Sequence, residues 1–359
     1  MTFALAAAGT GGHVYPALAV ADALVEAGTR RQDIVFFGGD RMEAETVPAA
    51  GYEFVSVDIR GLRRSLSREN LRLPGLIRRA TLLIASEFER RGVQSVGVFG
   101  GYVSVPAALA ARRAGAVIVV HEQNAHPGLA NRLIARRALS TLVAFPEARR
   151  RLKRSRLVGN PLRGPLNTFS RSDLKEAARS HYGIPAGIPI LGVLGGSLGA
   201  QVLNEVTASV AADAEPGRFG IVHLTGPTHL DAIAPVADRS SLPWVTRAFE
   251  PAMEMFYAIA DVVLARAGAL TVSELMATGT PAVLVPLEAT HQSANTTTLE
   301  SAGGALVIHQ SDIEQVPVEL QQLILDASRR KQMAAAALEL KTLDAAREVA
   351  NELVRAAHG

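Results

Sequence analysis

Along the whole chain, short apolar runs rich in β-formers alternate with amphipathic stretches of helical period, and no other feature of the sequence narrows the fold as far. In the first half the strand candidates are Thr2–Ala8, Asp33–Phe37, Phe54–Asp58, Val96–Phe99, Val117–His121 and Thr141–Phe145, with helical patterns such as Val14–Ala27 and Val103–Ala114 between them. Strand–helix alternation of this kind implies right-handed βαβ units and a parallel sheet. Near residue 160 the pattern breaks at "VGNPLRGPLNTFSRS", rich in Gly, Pro, Asn and Ser, and reads as a linker. The alternation then restarts with Ile190–Leu194, Gly220–Leu224, Trp244–Thr246, Asp261–Leu264, Ala282–Val285 and Ala305–Ile308. Helical stretches there include Ala200–Ala212, Leu270–Ala277 and His291–Ser301.

Each half opens alike: "FALAAAGTGGH" and "ILGVLGGSLGA" are both a strand, a glycine turn and a helix start. The expected fold class is therefore α/β, with two Rossmann-like, doubly wound domains whose ligands bind beyond the carboxyl ends of the strands, facing each other across a cleft. The expected division is an N-terminal domain over residues 1–159, a linker over 160–172 and a C-terminal domain over 173–340. A last helix within 341–359 is expected to pack back on the first domain. Hydrophobic residues at 48% and charged residues at 20% supply a core and exclude a disordered chain. The absence of cysteine excludes disulfides and thiolate metal sites. No signal peptide and no membrane-spanning stretch is expected.

The net charge of +3 hides an asymmetry. Residues 1–166 hold 24 Lys+Arg against 13 Asp+Glu, and the remainder 13 against 21, so the halves carry +11 and −8. A basic first half calls for an anionic partner, whether phosphate groups, nucleic acid or an acidic membrane surface, or is a solvated arginine-rich face. The segment Ile59–Arg79 mixes leucines with arginines and suits a helix lying on lipid, or a solvated helix with an ordinary core face. Arg132, Arg136 and Arg137 extend the same patch.

The glycine turns carry the first functional signal. Gly9, Gly11 and Gly12, and likewise Gly195, Gly196 and Gly199 around Ser197, expose backbone N–H groups at a helix start and suit an anion. Neither turn fits G-x-G-x-x-G, and no G-x-x-x-x-G-K-[ST] loop exists, so dinucleotide and ATP sites are disfavoured. His13 stands at the first helix start, where it is a candidate general base or a helix-start residue bound to backbone. "FGGYVSVP" and "HEQNAHPGLANRL" each follow a strand, placing Tyr102, His121, Glu122, Asn124 and Asn131 on the same rim. In the second half "ARAGALTVSELMATGTP" offers Arg266 for a phosphate and Glu274 for a diol, unless Glu274 closes a capping box with Thr271. Gln292 follows the next strand. With no D-x-D and no H-E-x-x-H, the expected chemistry is metal-free and uses no cofactor.

The stretches "GTGGHVYPALAVA", "GGYVSVPAALAA", "HEQNAHPGLANRL", "VGNPLR", "GGSLGAQVLN", "RAGALTVSEL" and "HQSAN", in order from Gly9 to about Gly304, strongly resemble the MurG family. That family moves N-acetylglucosamine (GlcNAc) from UDP-GlcNAc to undecaprenyl-pyrophosphoryl-MurNAc-pentapeptide, turning lipid I into lipid II in peptidoglycan synthesis. The resemblance implies the GT-B type of fold and an inverting hexosyltransferase. It assigns donor contacts to Thr10, Gly11, Gly12, Asn124, Arg163, Ser197, Glu250, Ala269, Leu270, Thr271, Val272, Ser273, Glu274 and Gln292. Arg266 joins them as a phosphate candidate. It makes His13 the base, with Glu122 as the alternative, and puts Tyr102 and Asn131 on the acceptor side. It implies UDP-GlcNAc, lipid I, an anionic membrane surface and other cell-wall enzymes as partners, no nucleic acid, and a peripheral place on the cytoplasmic face of the plasma membrane.

Four positions depart from the family pattern. Ala8 replaces a common glycine, Leu198 stands where Gln is frequent, Glu250 takes a usually apolar place, and Thr290 precedes "HQ" where an acid is common. A glycosyldiacylglycerol synthase, a UDP-GlcNAc 2-epimerase and a non-catalytic nucleotide-binding module are the rival readings of the same architecture.

Overall fold

A sheet covered by helices on both faces must be apolar on both faces, and the first strand meets that demand with small residues. The computed structural model describes residues 1–59, 73–288, 290–342 and 344–358. The chain divides into two compact units, Met1–Arg163 together with the residues from Thr342 onward, and Gly164–Lys341.

The first unit runs β1 (Thr2–Ala7), α1 (Gly11–Glu26), β2 (Ile34–Gly38), α2 (Glu43–Ala49), β3 (Glu53–Ser56), α3 (Leu73–Arg91), β4 (Val93–Gly100), α4 (Ser104–Ala114), β5 (Val117–Glu122), α5 (Leu129–Ile134), β6 (Ser140–Val143) and β7 (Arg156–Leu157). The strands form one parallel sheet in the order β3-β2-β1-β4-β5-β6-β7. Side chains alternate across the sheet with period two. Phe3, Leu5 and Ala7 enter the core that holds α1, while Ala4, Ala6 and Ala8 enter the core that holds Ala80, Ile84 and Phe88 of α3 and Ala107 and Ala111 of α4.

The second unit runs α6 (Gly164–Asn167), α7 (Arg171–Tyr182), β8 (Ile190–Leu194), α8 (Gln201–Ala212), β9 (Gly220–Leu224), α9 (Leu230–Asp238), β10 (Trp244–Arg247), α10 (Met253–Ile259), β11 (Val262–Ala265), α11 (Ala269–Thr278), β12 (Ala282–Leu284), α12 (Ser293–Ser301), β13 (Ala305–Val307), α13 (Val316–Leu325) and α14 (Ala327–Glu339). Its parallel sheet has the order β10-β9-β8-β11-β12-β13, so both units carry the doubly wound 3-2-1-4-5-6 arrangement. The last helix, α15 (Ala345–His358), belongs to the first unit. Its Val349, Leu353 and Ala356 are buried in the same core as Phe3 and Leu5, and the Ser95 hydroxyl donates to the Leu353 carbonyl at 2.9 Å.

Several boundaries differ from the sequence expectation for physical reasons. Helix α1 begins at Gly11, so Gly11, Gly12 and His13 form its first turn, and of the three turn glycines only Gly9 has positive φ, +99°. In the second turn Gly196 and Gly199 do, at +87° and +76°, but Gly195 does not. The Gly- and Pro-rich stretch 160–172 holds α6 and the first residues of α7. Thr271 cannot cap α11, because the cap is Gly268 and Thr271 lies within the first turn, which removes the capping-box alternative for Glu274. Of the arginine-rich segment Ile59–Arg79, residues 60–72 lie outside the described residues. The part from Leu73 on belongs to α3, whose inner face is an ordinary core face while Leu82 and Leu83 point to solvent.

Two histidines are locked neutral in the two cores. Burial lowers His121 to about 4, against a raising hydrogen bond to the Gly159 carbonyl, and lowers His223 to about 3. His121 donates from Nε2 to Gly159 at 2.9 Å and faces the Gln123 amide from Nδ1 at 3.1 Å. It is 1% exposed, so the strand-end histidine is a brace between β5 and the chain near Gly159 and offers nothing to a ligand. In the unfolded chain both histidines titrate at about 6.5. The folded state therefore binds fewer protons below that value, and stability is full above about pH 6.5 and falls as pH drops towards the folded values. At about pH 5 each histidine is expected to cost roughly 2 kcal/mol. Urea unfolding at several pH values will show the loss, and His223→Gln will reduce its slope by about one proton.

Candidate active site

In an open doubly wound sheet, ligands bind beyond the strand ends at the point where the strand order reverses. In the first unit that point lies between β1 and β4, and the glycine turn Ala8–Gly12 and the pair Gly100–Gly101 meet there. Thr10 is the extended N-cap of α1, and its carbonyl accepts from the amides of His13 and Val14 at 3.0 and 3.2 Å. The amides of Gly11 and Gly12 open the helix, where no earlier carbonyl is available to them and an anion is favoured.

The His13 ring is fixed from one side. Its Nδ1 lies 3.1 Å from the Ala8 carbonyl oxygen. A carbonyl can only accept, so Nδ1 carries the proton and Nε2 is left as the basic nitrogen. Nε2 has no hydrogen-bond partner among the described residues. Burial lowers the His13 pKa against the raising influence of the Ala8 bond and of Glu122 and Glu43, so the ring is neutral at pH 7. The glycine pair Gly100–Gly101 at the end of β4 makes room for this arrangement. A Cβ on Gly100 would sit 2.8 Å from the ring, and one on Gly101 would sit 2.2 Å from the Ala8 oxygen; both have positive φ.

Glu122 is placed differently. It is 2% exposed, and each of its oxygens accepts two hydrogen bonds. Oε1 takes the Asn124 amide at 2.9 Å and its side-chain amide at 3.1 Å. Oε2 takes the Gly128 amide at 3.1 Å and the Asn131 side chain at 3.0 Å. The carboxylate ties the loop Asn124–Gly128 to the start of α5. The Oδ1 of buried Asn131 has no partner among the described residues. Arg163 is exposed, with its guanidinium 5.0 Å from the centre of the Tyr15 ring.

Sequence reasoning missed Glu43. This residue opens α2 and is fully buried. Its carboxylate accepts the Gly9 amide at 3.2 Å, the Gly39 amide at 3.0 Å and the Tyr102 hydroxyl at 3.0 Å. Tyr102 thus spends its hydroxyl inside the unit, and a Cβ on Gly39 would strike that hydroxyl at 2.0 Å. The run "GGDRME", which begins on the last residue of β2, is the available signal.

In the second unit the reversal lies between β8 and β11. Loop Gly195–Ala200 follows β8, with Ser197 exposed and Leu198 75% exposed. A Cβ on Gly199 would lie 2.0 Å from the Thr225 oxygen, so the loop packs directly on the one after β9. Across the reversal, Gly268 caps α11, whose Ala269, Leu270, Thr271 and Val272 form the first turn. Ser273 donates to the Ala269 carbonyl at 3.0 Å, and the buried Glu274 accepts the Tyr257 hydroxyl at 2.8 Å. Arg266 donates to the Val285 carbonyl at 3.2 Å and to Gln310 at 2.8 Å, bracing two loops. Gln292 accepts the Leu287 amide at 3.0 Å through Oε1.

Glu250 turns inward. It is 1% exposed and accepts from Tyr182 at 2.7 Å, Arg247 at 2.5 Å and the Ala252 amide at 2.9 Å, with His181 at 3.1 Å. Burial raises its carboxyl, and these donors outweigh burial and hold it below the usual range. A charged residue is tolerated at this usually apolar place because its cage is complete. The carboxylate faces this cage and not solvent.

Known proteins match this arrangement along its length. Residues 3–143 match the glycosyltransferase family 28 N-terminal domain and residues 190–350 its C-terminal domain. The UDP-N-acetylglucosamine–N-acetylmuramyl-(pentapeptide) pyrophosphoryl-undecaprenol N-acetylglucosamine transferase of Streptomyces coelicolor is 39% identical over 96% of this chain and 95% of its own. The protein of the same name from Halorhodospira halophila is 39% identical over 100% of this chain and 99% of its own. Among solved structures, Acinetobacter baumannii MurG superposes with a TM-score of 0.77 at 28% identity, over 99% of this chain and 100% of its own. The glycosyltransferase VinC, at 17% identity and a TM-score of 0.67 over the full length of both chains, shares the fold. With two Rossmann-like sheets, both family 28 domains in order and relatives this similar over nearly the whole length, the chain belongs to the MurG family of GT-B glycosyltransferases.

Proposed function

We propose that this protein is the UDP-GlcNAc-dependent hexosyltransferase that moves GlcNAc to the C4 hydroxyl of MurNAc in undecaprenyl-pyrophosphoryl-MurNAc-pentapeptide, converting lipid I to lipid II. The observation that carries the catalytic reading is the neutral His13 ring, with Nδ1–H bound to Ala8 and Nε2 left as a base. The acceptor hydroxyl attacks the anomeric carbon as the bond to the UDP oxygen breaks, and UDP leaves with the electron pair. His13 Nε2 takes the hydroxyl proton as the new bond forms, since a sugar hydroxyl is too weak an acid to lose it first. Attack opposite the leaving group inverts the anomeric centre.

Glu122 organises the acceptor side, because four donors already occupy its oxygens. On the donor side, the exposed Ser197 and the start of α8 stabilise the charge growing on the diphosphate. Glu274 and Gln292 bind sugar hydroxyls, backbone at Phe249–Glu250 reads the base, and Arg266 holds the loops that do so. Thr10, Gly11, Gly12, Asn124 and Arg163 complete the donor contacts from the first unit, and Tyr102 and Asn131 shape the acceptor side.

The protein works at the cytoplasmic face of the plasma membrane, bound to its surface. No described helix is long and apolar enough to cross a membrane. A cavity of about 300 Å³ in the first unit is lined by Arg132, Arg136, Arg151 and Arg154 beside Leu129 and Leu133, which are 67% and 51% exposed. Cations flanking exposed leucines suit anionic lipid, at roughly 1 kcal/mol per basic residue near the surface.

Purified protein given UDP-GlcNAc with a lipid I analogue, with diacylglycerol, or with no acceptor separates the readings. UDP release is expected with the lipid I analogue alone. Transfer to diacylglycerol, or isomerisation of the donor without acceptor, would refute the assignment.

A further inference from the structure

Resting on the reading of His13 as the base, we propose that Glu43 is a positioning residue that acts on His13 through the single peptide unit Ala8–Gly9. The carbonyl of that unit accepts Nδ1–H of His13 at 3.1 Å. The N–H of the same unit points at the Glu43 carboxylate, 3.2 Å from each oxygen. In a trans peptide the two groups point in opposite directions and share one conjugated system, so charge at one end polarises the other. A carboxylate on the N–H enriches the carbonyl oxygen, which then holds Nδ1–H more strongly as Nε2 gains a proton. No proton travels along the chain of bonds.

Several features serve this one alignment. Gly9 adopts a φ of +99°, which turns its N–H to the carboxylate. Gly101 leaves room for the Ala8 oxygen and Gly39 for the Tyr102 hydroxyl. Glu43 is fully buried, and among the described residues no cation pairs with it; backbone amides and Tyr102 hold it instead. A buried carboxylate without a cation is costly. The charged groups facing His13 are Glu43 and Glu122, both favouring the imidazolium. Tyr102 lies beside Gly9, with the Arg41 guanidinium 6.0 Å from its ring and Asp40 nearby.

The test is an NMR titration of His13 in full-length protein labelled in histidine and glycine, with the Gly9 amide as reporter. In the wild type the Gly9 amide resonance is expected to move at the His13 midpoint. In Glu43→Gln the His13 midpoint is expected to fall further, by about 0.5–1 pH unit, and kcat to drop about tenfold with the KM for UDP-GlcNAc within about twofold. Glu43→Asp, which keeps the charge, is expected to restore most of both. A folded Glu43→Gln with an unmoved His13 midpoint overturns the inference. Should that variant fail to fold, the wild-type Gly9 amide decides: silence through the His13 titration overturns the inference, and movement sustains it. Full turnover in His13→Ala overturns the reading of His13 as base and this inference with it, whereas a Glu43→Gln failure beside an inactive His13→Ala overturns this inference alone.

Discussion

His13→Ala is expected to lower GlcNAc transfer by about 10²–10⁴-fold while UDP-GlcNAc affinity stays within about twofold. The size follows from what is removed. A positioned base contributes only as the hydroxyl proton leaves, so its loss falls on the chemical step and not on binding. Alanine also fits the place sterically, because Gly100 crowds the ring and not the backbone of α1. Glutamine is a second variant, polar like histidine but with no base to supply; His13→Gln is expected to be as inactive as His13→Ala. Single-turnover kinetics with a lipid I analogue and isothermal titration with UDP-GlcNAc check both halves. Turnover within about threefold of wild type in both variants would remove His13 from the chemistry.

Glu122→Ala is expected to cost about 2–4 kcal/mol of stability, because one buried and three half-buried donors lose their acceptor at once. The variant leaves the Asn124 amide, its side chain, the Gly128 amide and the Asn131 side chain without their acceptor. A donor shielded from water and stripped of a charged partner, as Asn131 would be, loses more than the bond itself was worth. Glu122→Gln keeps two acceptor lone pairs but turns an amide towards donors, so an intermediate loss is expected. Urea denaturation of both variants measures this. A Glu122→Ala protein as stable as the wild type yet inactive would instead make Glu122 the proton acceptor. The two experiments therefore divide the roles that the sequence leaves open between His13 and Glu122.

The sheets were legible in the sequence because burial on both faces leaves apolar runs of strand length. Ile190–Leu194 and Gly220–Leu224 are read to the residue, and the doubly wound order follows from alternation and handedness. Helix α7 escapes because only Ala178, Arg179 and Tyr182 of its twelve residues are buried, and its start lies in a stretch whose composition signals a linker. The two-residue β7 is too short for any pattern. At the site, glycine spacing marks the turns, but the reason for each glycine is a neighbour distant in sequence: His13 for Gly100, Ala8 for Gly101, Thr225 for Gly199. Side-chain direction is likewise tertiary. Glu43 meets Tyr102 across 59 residues and Glu250 meets Tyr182 across 68, so no local pattern shows that either carboxylate faces inward.

The most direct test is the pH dependence of kcat/KM for the lipid I analogue, set beside the titration of His13 itself. Activity is expected to rise with the loss of one proton at a midpoint below the ordinary histidine value of about 6.5, matching the His13 midpoint, and this step is expected to vanish in His13→Gln. An activating midpoint that differs from that of His13, or that survives in His13→Gln, would contradict the reading of His13 as base.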